Sequence, residues 1–336
     1  MDSPLPLGKL PPDLLARLLA KAPISDPRVI AGPGIGLDCA VIDLGAQLLV
    51  FKSDPITFAT DDIGWYAVQI NANDVATTGA DPRWMLATLL LPEKQTTPAL
   101  AEQIFDQLSR AAQALNISIV GGHTEITYGI NRPILIGTLI GEVQRERLVM
   151  PGGVQPGDLL LLTKGVPVEG TALLAREFPS RLKGSLSEAE IAEAAAYLYQ
   201  PGISVVRDAR IATQAGRVTA MHDPTEGGLA SALWELSEAG RCSLWFDPQA
   251  VPVPPLAQRV CAVFGIDPLA TIASGALLLA ARAEDAGAIR AALQAEGIAC
   301  AEIGRVRAGP PGVWTAQDTL LPRPARDEIA KVFEVE

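Results

Sequence analysis

The chain has 336 residues, 49% of them hydrophobic, and a formal net charge of −11; this length and apolar content suit two ordinary cores, and the charge disfavours nucleic acid or anionic lipid as a partner. No basic run or aromatic–basic interleaving of the kind nucleic acid requires is found, and no apolar run is long enough to span a bilayer. The four cysteines, Cys39, Cys242, Cys261 and Cys300, form no CxxC pair, and the two histidines, His123 and His222, are too few for a histidine-rich centre, so any metal must lean on carboxylates. The opening MDSPLPLGKLPPDLL lacks the basic start and unbroken apolar stretch of a secretory peptide, which predicts a soluble, cytoplasmic protein.

In chain order, the first feature is a glycine-rich loop, Ala31-Gly-Pro-Gly-Ile-Gly-Leu-Asp-Cys-Ala40, leading into strand-like Val41-Ile-Asp43. Its glycines, Gly36 among them, let backbone amides approach an anion, and Asp38 could hold a Mg²⁺ ion; the plainer reading is a turn. Short apolar or β-branched runs predict strands at 48–52, 84–91, 117–120 and 133–143. After the first of these comes Phe51-Lys-Ser-Asp-Pro-Ile-Thr57, where Lys52 and Asp54 share one side of an extended chain. Lys52 could neutralise phosphate and Asp54 could bind metal or substrate, against the duller reading of surface charges.

A helix is expected from Thr60 or Asp61, either a plausible N-cap, to Gly79, and a second over 98–115. In the first, Asn71, Asp74 and Thr78 are spaced i, i+3, i+7 and share a face. A solvated stripe would ordinarily display Lys and Glu, which this helix lacks, so the stripe points to a site. Val120-Gly-Gly-His-Thr-Glu125 then follows a predicted strand as a loop able to cradle an anion or a metal–phosphate, or simply to turn. Two Pro and three Gly within 150–158 mark a hinge, dividing the chain into domains at 1–150 and 151–336.

Beyond the hinge, a strand is expected at 159–163, helices at 168–177, 186–199 and 202–214, a strand at 218–222 and a helix at 227–239. The last third holds a strand at 275–281, a helix at 283–295 and a strand pair within 300–315. Met221-His-Asp-Pro-Thr-Glu-Gly-Gly-Leu-Ala230 is again a strand end feeding a helix, with Asp223 placed to meet a cation, Thr225 a plausible N-cap and Gly227 at the turn. A capping turn alone would satisfy the same motif.

These motifs in this order resemble the superfamily of aminoimidazole ribonucleotide synthase, thiamine-monophosphate kinase, selenophosphate synthetase and the hydrogenase-maturation dehydratase. The family's Gly-Asp-Asp-Ala loop looks like Gly36-Leu-Asp-Cys-Ala40, its helix motif like Asn71-Ala-Asn-Asp-Val-Ala-Thr-Thr-Gly-Ala-Asp-Pro82, and its Gly-Gly-Asp/Glu-Thr loop like Gly121-Gly-His-Thr124. Within the superfamily, Asp223-Pro-Thr-Glu-Gly-Gly-Leu-Ala230 and Phe264-Gly-Ile-Asp-Pro-Leu269 are most similar to the hydrogenase-maturation, HypE-like branch. The resemblance implies an α+β, two-domain PurM-like fold, its N-terminal domain forming a dimeric β-barrel in a homodimer and its C-terminal domain a layered α/β structure. It also implies ATP as ligand, with Asp38, Asp74 and Asp223 holding Mg²⁺ on the phosphates.

Three departures bear on the chemistry. Leu37 replaces one acidic residue and His123 another, which lowers the negative charge available to a metal, and Val332-Phe-Glu-Val-Glu336 lacks the terminal cysteine on which the dehydratase carries its carbamoyl group, so the thiocyanate route is not expected. The absence of a cysteine before Cys39 argues against selenium chemistry, and no kinase-type motif surrounds Ala273-Ser-Gly-Ala-Leu277. The expectation is an enzyme that uses ATP to phosphorylate an oxygen of a small amide or metabolite. In it Lys52, Asn71, Gly121, Gly122, Thr124, Glu125, Thr225 and Gly227 join the nucleotide contacts, and His123 and Asp54 serve the chemistry. The rival is a nucleotide-binding accessory or regulatory protein that has lost turnover.

Overall fold

The computed structural model describes residues 5, 10, 12–21, 23–34, 37–57, 59 and 61–334. Gly36 and Thr60 lie outside the described residues. Contacts divide the chain into two compact units: an N-terminal unit of 26–32 and 38–148, and a C-terminal unit of 149–336 together with the described residues of 1–25 and 33–37, which include helix α1, Pro12–Leu19.

The N-terminal unit is built on a six-stranded sheet of β1 (Val29–Ala31), β2 (Ala40–Asp43), β3 (Leu48–Ile56), β4 (Asp81–Pro92), β5 (Ser118–Thr127) and β6 (Ile134–Val143), in spatial order β1-β2-β3-β6-β4-β5. All neighbours are antiparallel except β4 and β5, which are joined as a parallel pair through helix α3, Pro98–Ala114. Strict burial alternation along β6 sends Leu135, Leu139 and Val143 inward, the period-2 signature of a sheet with one face packed. Helix α2, Ile63–Thr77, covers that face, packing on β3 and β6 and against α3. Its apolar residues surround it on nearly all sides, which is why it carries no Lys or Glu. Gly137 permits the close approach, since a Cβ there would stand 2.5 Å from the Asn71 side-chain nitrogen. The N-cap lies one residue beyond Asp61, the later of the two expected: Asp62, in the left-handed region, takes the position without a side-chain cap.

The C-terminal unit holds a second six-stranded sheet. Its elements in chain order are β7 (Leu159–Thr163), α4 (Val168–Glu177), α5 (Pro179–Leu182), α6 (Glu188–Ala196), α7 (Val206–Ala215), β8 (Val218–His222), α8 (Gly228–Gly240), β9 (Ser243–Phe246), α9 (Pro255–Phe264), β10 (Leu278–Ala281), α10 (Ala283–Ala295), β11 (Cys300–Arg307), β12 (Gly312–Thr315) and α11 (Ala330–Phe333). The sheet runs β12-β9-β11-β7-β10-β8. Leu160, Leu161 and Leu162 are all fully buried in β7 because helices cover both faces of this sheet: Leu160 and Leu162 join the core under α8 with Leu229, Leu233 and Leu236, and α10 packs on β7 and β11. Neither β9 nor α9 has a counterpart among the expected elements. The helix expected at 186–199 splits at a turn, Leu198–Gly202, that contains Pro201.

Candidate functional site

In the N-terminal unit one lysine gathers three carboxylates. Lys52 and Asp54 stand two residues apart on β3 and so project to the same side, and Asp74 reaches the same point from α2. Lys52 Nζ lies 2.7 Å from Asp74 Oδ2 and 3.0 Å from Asp54 Oδ2, with the Lys52 and Asp74 side chains only 10% and 3% exposed. Burial pulls the Lys52 pKa down, but the charges of Asp74, Asp38 and Asp54 outweigh it and hold the ammonium well above the ordinary lysine range. Lys52 is therefore cationic at any physiological pH.

Asn71 fixes the register between helix and strand. Its Oδ1 accepts from the Asp54 N–H at 3.0 Å, and its Nδ2 donates to Ala67 O at 2.8 Å. Expected among the nucleotide contacts, Asn71 is instead fully buried, with both ends committed to backbone, and it positions Asp54. Thr78, third in the stripe, bonds locally to Val75 O. Its hydroxyl, along with that of Thr77 on Asp74 O at 2.8 Å, satisfies carbonyls at the helix end. Cys39 is buried beside the cluster, its Sγ donating to Asp74 O.

The loop expected at Gly121–Glu125 is a strand. β5 continues through all five residues at the sheet edge, paired with β4, and Ser118–Ile126 are exposed. The pairing with β4 imposes extended backbone where a Gly-Gly pair alone would suggest a turn, and the register slips between Met85 and Leu86 to accommodate it. Gly122 is required there: its φ is +144°, and a Cβ would fall 1.8 Å from Ala87 O. His123 and Glu125 share a face, with Nε2 3.0 Å from Oε2, while Thr124 points the other way.

The motif at 223–228 sits in the C-terminal unit. Asp223 is fully buried just beyond β8, and His222 Nε2 is 2.6 Å from Glu235 Oε2. Gly227, not Thr225, occupies the N-cap position of α8, and Gly228 N–H closes the turn on Thr225 O. The N–H of Gly227, a residue expected among the nucleotide contacts, donates to Asp327 Oδ2 at 2.6 Å. Asp327 also accepts from Ile329 N–H at 2.7 Å, so a residue one hundred positions along the chain supplies the cap that the loop lacks. Next to it in electrostatic reach are two further carboxyls, Glu169 and Glu226. Desolvation pushes Glu169 up to about 7, with Asp327 and Glu226 adding to the rise and Ser274 opposing it. Desolvation likewise lifts Asp327 to about 6 against the pull of three backbone donors, those of Ile329, Gly227 and Ile272. None of Glu169, Ser274 and Asp327 was marked by sequence, because each acts through a long-range packing contact.

The oxygens of Asp38, Asp54 and Asp74 suit a hard divalent ion, and after Lys52 has neutralised one charge the set keeps two, which matches one Mg²⁺. Among the described residues no group of three His, Cys, Asp or Glu side chains is disposed to hold a metal by itself. Mg²⁺ held by one or two carboxylates and completed by substrate phosphates needs no such cage. The residues of the N-terminal unit therefore fit one ion of that kind.

The family models described as AIR synthase related protein, N-terminal domain, and AIR synthase related protein, C-terminal domain, match residues 36–143 and 155–315. A putative hydrogenase expression/formation protein of Methanocaldococcus jannaschii is 30% identical over 266 residues, covering 75% of each chain. The carbamoyl dehydratase HypE of Rhodobacter capsulatus is 31% identical over 277 residues, covering 80% of this chain and 78% of that protein. The crystal structure of a hydrogenase maturation protein HypE in complex with ATP shares the fold at a TM-score of 0.69 and 24% identity, covering 91% of this chain and 92% of that one.

Proposed function

The chain belongs to the AIR synthase related family, and from that membership and the chemistry of its N-terminal unit we propose an ATP-dependent enzyme that phosphorylates, and so activates, an oxygen of a small amide or similar metabolite. The observation that carries this reading is the buried Lys52 held between Asp74 and Asp54. Phosphoryl transfer asks a protein chiefly for positioning and for fixed positive charge near the equatorial oxygens. Here Mg²⁺ held by the carboxylates would supply that charge, and Lys52, by neutralising one of them and fixing their positions, would spare reorganisation at the moment of reaction.

Asp38 and Asp74 are assigned the Mg²⁺ ion, which when bound would draw charge from the phosphate oxygens. Asp54, with its side chain 35% exposed against 3% for Asp74, is open to an incoming substrate, and the Asn71 bond to its N–H keeps it in place. The substrate oxygen would attack the terminal phosphorus as the bond to ADP breaks. His123, paired with Glu125 on an open strand, is the candidate to carry a proton. An amide acceptor is supported by kinship with a protein whose name describes dehydration of a carbamoyl group.

The exposed edge of β5, with Ile119, Val120 and Ile126 outward, supports the expected homodimer, since a free strand edge with apolar side chains invites a partner. Isothermal titration of ATP into Asp74→Asn tests the nucleotide assignment, with a loss of tenfold or more expected, on the order of 1.4 kcal/mol. Asp223→Asn tests the expected metal role of that residue in the same assay. Unchanged affinity in Asp74→Asn would overturn the reading. Phosphate release by wild type across a panel of small amides then separates turnover from binding alone, which would favour the accessory role.

A further inference from the structure

We infer that Lys52 is the resident cation of the Asp38, Asp54 and Asp74 cluster in the nucleotide-free protein, so that a divalent ion enters this site only as part of a metal–nucleotide complex. This inference rests on the nucleotide reading above and adds an order of binding to it.

A carboxylate as buried as Asp74 needs a compensating charge within contact distance. Lys52 provides one at 2.7 Å, and the same ammonium reaches Asp54 at 3.0 Å. An ammonium is a compact point charge with three donors, the number of carboxylates that act on it here. It is carried on β3, which pairs with β2 over Leu48–Phe51 and with β6 along its whole length, and its departure would strip the buried Asp74 of its compensating charge. A free divalent ion would meet a fixed like charge at contact distance in a partly desolvated place, which lowers its affinity by orders of magnitude. A nucleotide changes that balance, because its phosphates bring both ligand oxygens and negative charge to the open side of Asp54.

The closing experiment needs no nucleotide, so its result is independent of whether ATP binds. Free Mn²⁺ is counted by electron paramagnetic resonance against nucleotide-free wild type, Lys52→Met and Lys52→Arg, with thermal melting of each in the presence and absence of MnCl₂. Wild type and Lys52→Arg are expected to show no saturable site below millimolar Mn²⁺. Lys52→Met is expected to gain one site, tighter by on the order of a hundredfold, and a Mn²⁺-dependent rise in melting temperature. A variant that folds only when Mn²⁺ is supplied supports the inference equally. Saturable Mn²⁺ binding by wild type that Asp74→Asn abolishes would overturn it, and that arm does not depend on the folding of any lysine variant. So would a folded Lys52→Met that gains no site.

Discussion

Replacing Glu169 by Gln should make the C-terminal unit more stable at pH 8 and remove most of its loss of stability between pH 5 and pH 8. Glu169 stands in the first turn of α4 and is buried, and its Oε2 and the Ser274 hydroxyl have no hydrogen-bond partner of normal geometry. Burial lifts its carboxyl from the usual 4.5 to about 7, with the charges of Asp327 and Glu226 contributing and the nearby Ser274 hydroxyl and amide pulling it down. A carboxyl raised on folding binds its proton more tightly in the native state. Its contribution is therefore fully present below about pH 4.5 and lost as the pH rises through 7. At about 1.4 kcal/mol per tenfold change in proton affinity, the displacement amounts to about 3 kcal/mol. Asp327, lifted from 3.8 to about 6, acts in the same direction. The glutamine is close in shape and never ionises, so it avoids the charged state that becomes costly above neutrality. Urea unfolding followed by tryptophan fluorescence at pH 5.5 and 8, with Trp234, Trp245 and Trp314 reporting on this unit, measures both slopes. If Glu169→Gln keeps the wild-type pH dependence, or is less stable than wild type at pH 8, then Glu169 is not the buried neutral acid described here.

The edge strand gives two further tests. Gly122→Ala must drive a methyl group into the Ala87 carbonyl at a left-handed φ, so a loss of at least about 3 kcal/mol from the N-terminal unit is expected in the same denaturation assay; a loss under about 1 kcal/mol would show that β5 is not held as described. Wild type is expected to sediment as a dimer, and Val120→Lys, which charges the exposed strand edge, as a folded monomer. A monomeric wild type, or a Val120→Lys dimer, would remove β5 from the interface.

What was legible in the sequence follows the range of the interactions involved. The polar stripe of α2 was visible because composition and 3.6-residue spacing are local; the absence of Lys and Glu, read as the sign of a site, is accounted for by burial of nearly the whole helix. Spacing could not separate roles within the stripe: Asp74 reaches Lys52, Asn71 ties β3 to the helix, and Thr78 bonds one turn back. At 121–125 the local signal misled, since two glycines read as a turn until pairing with β4 supplies the partner that keeps them extended. Asp327 shows the limit most plainly. Nothing in its neighbourhood of the chain indicates that its carboxylate caps a helix beginning one hundred residues earlier.

Lys52 carries the same lesson into the chemistry. As one of 27 basic residues in an acidic chain, it reads as a surface charge, because a strand two residues from an aspartate offers no reason for burial. The reason comes from α2, which brings Asp74 onto the sheet at a point where the Gly137 backbone lets the helix approach closely. Once Asp74 is buried, a cation there is a requirement of folding and not an optional feature of catalysis. The same close packing that stabilises the N-terminal unit thus sets the charge a nucleotide would meet, and a substitution that loosened α2 from the sheet should weaken nucleotide binding even where no contacting residue has changed.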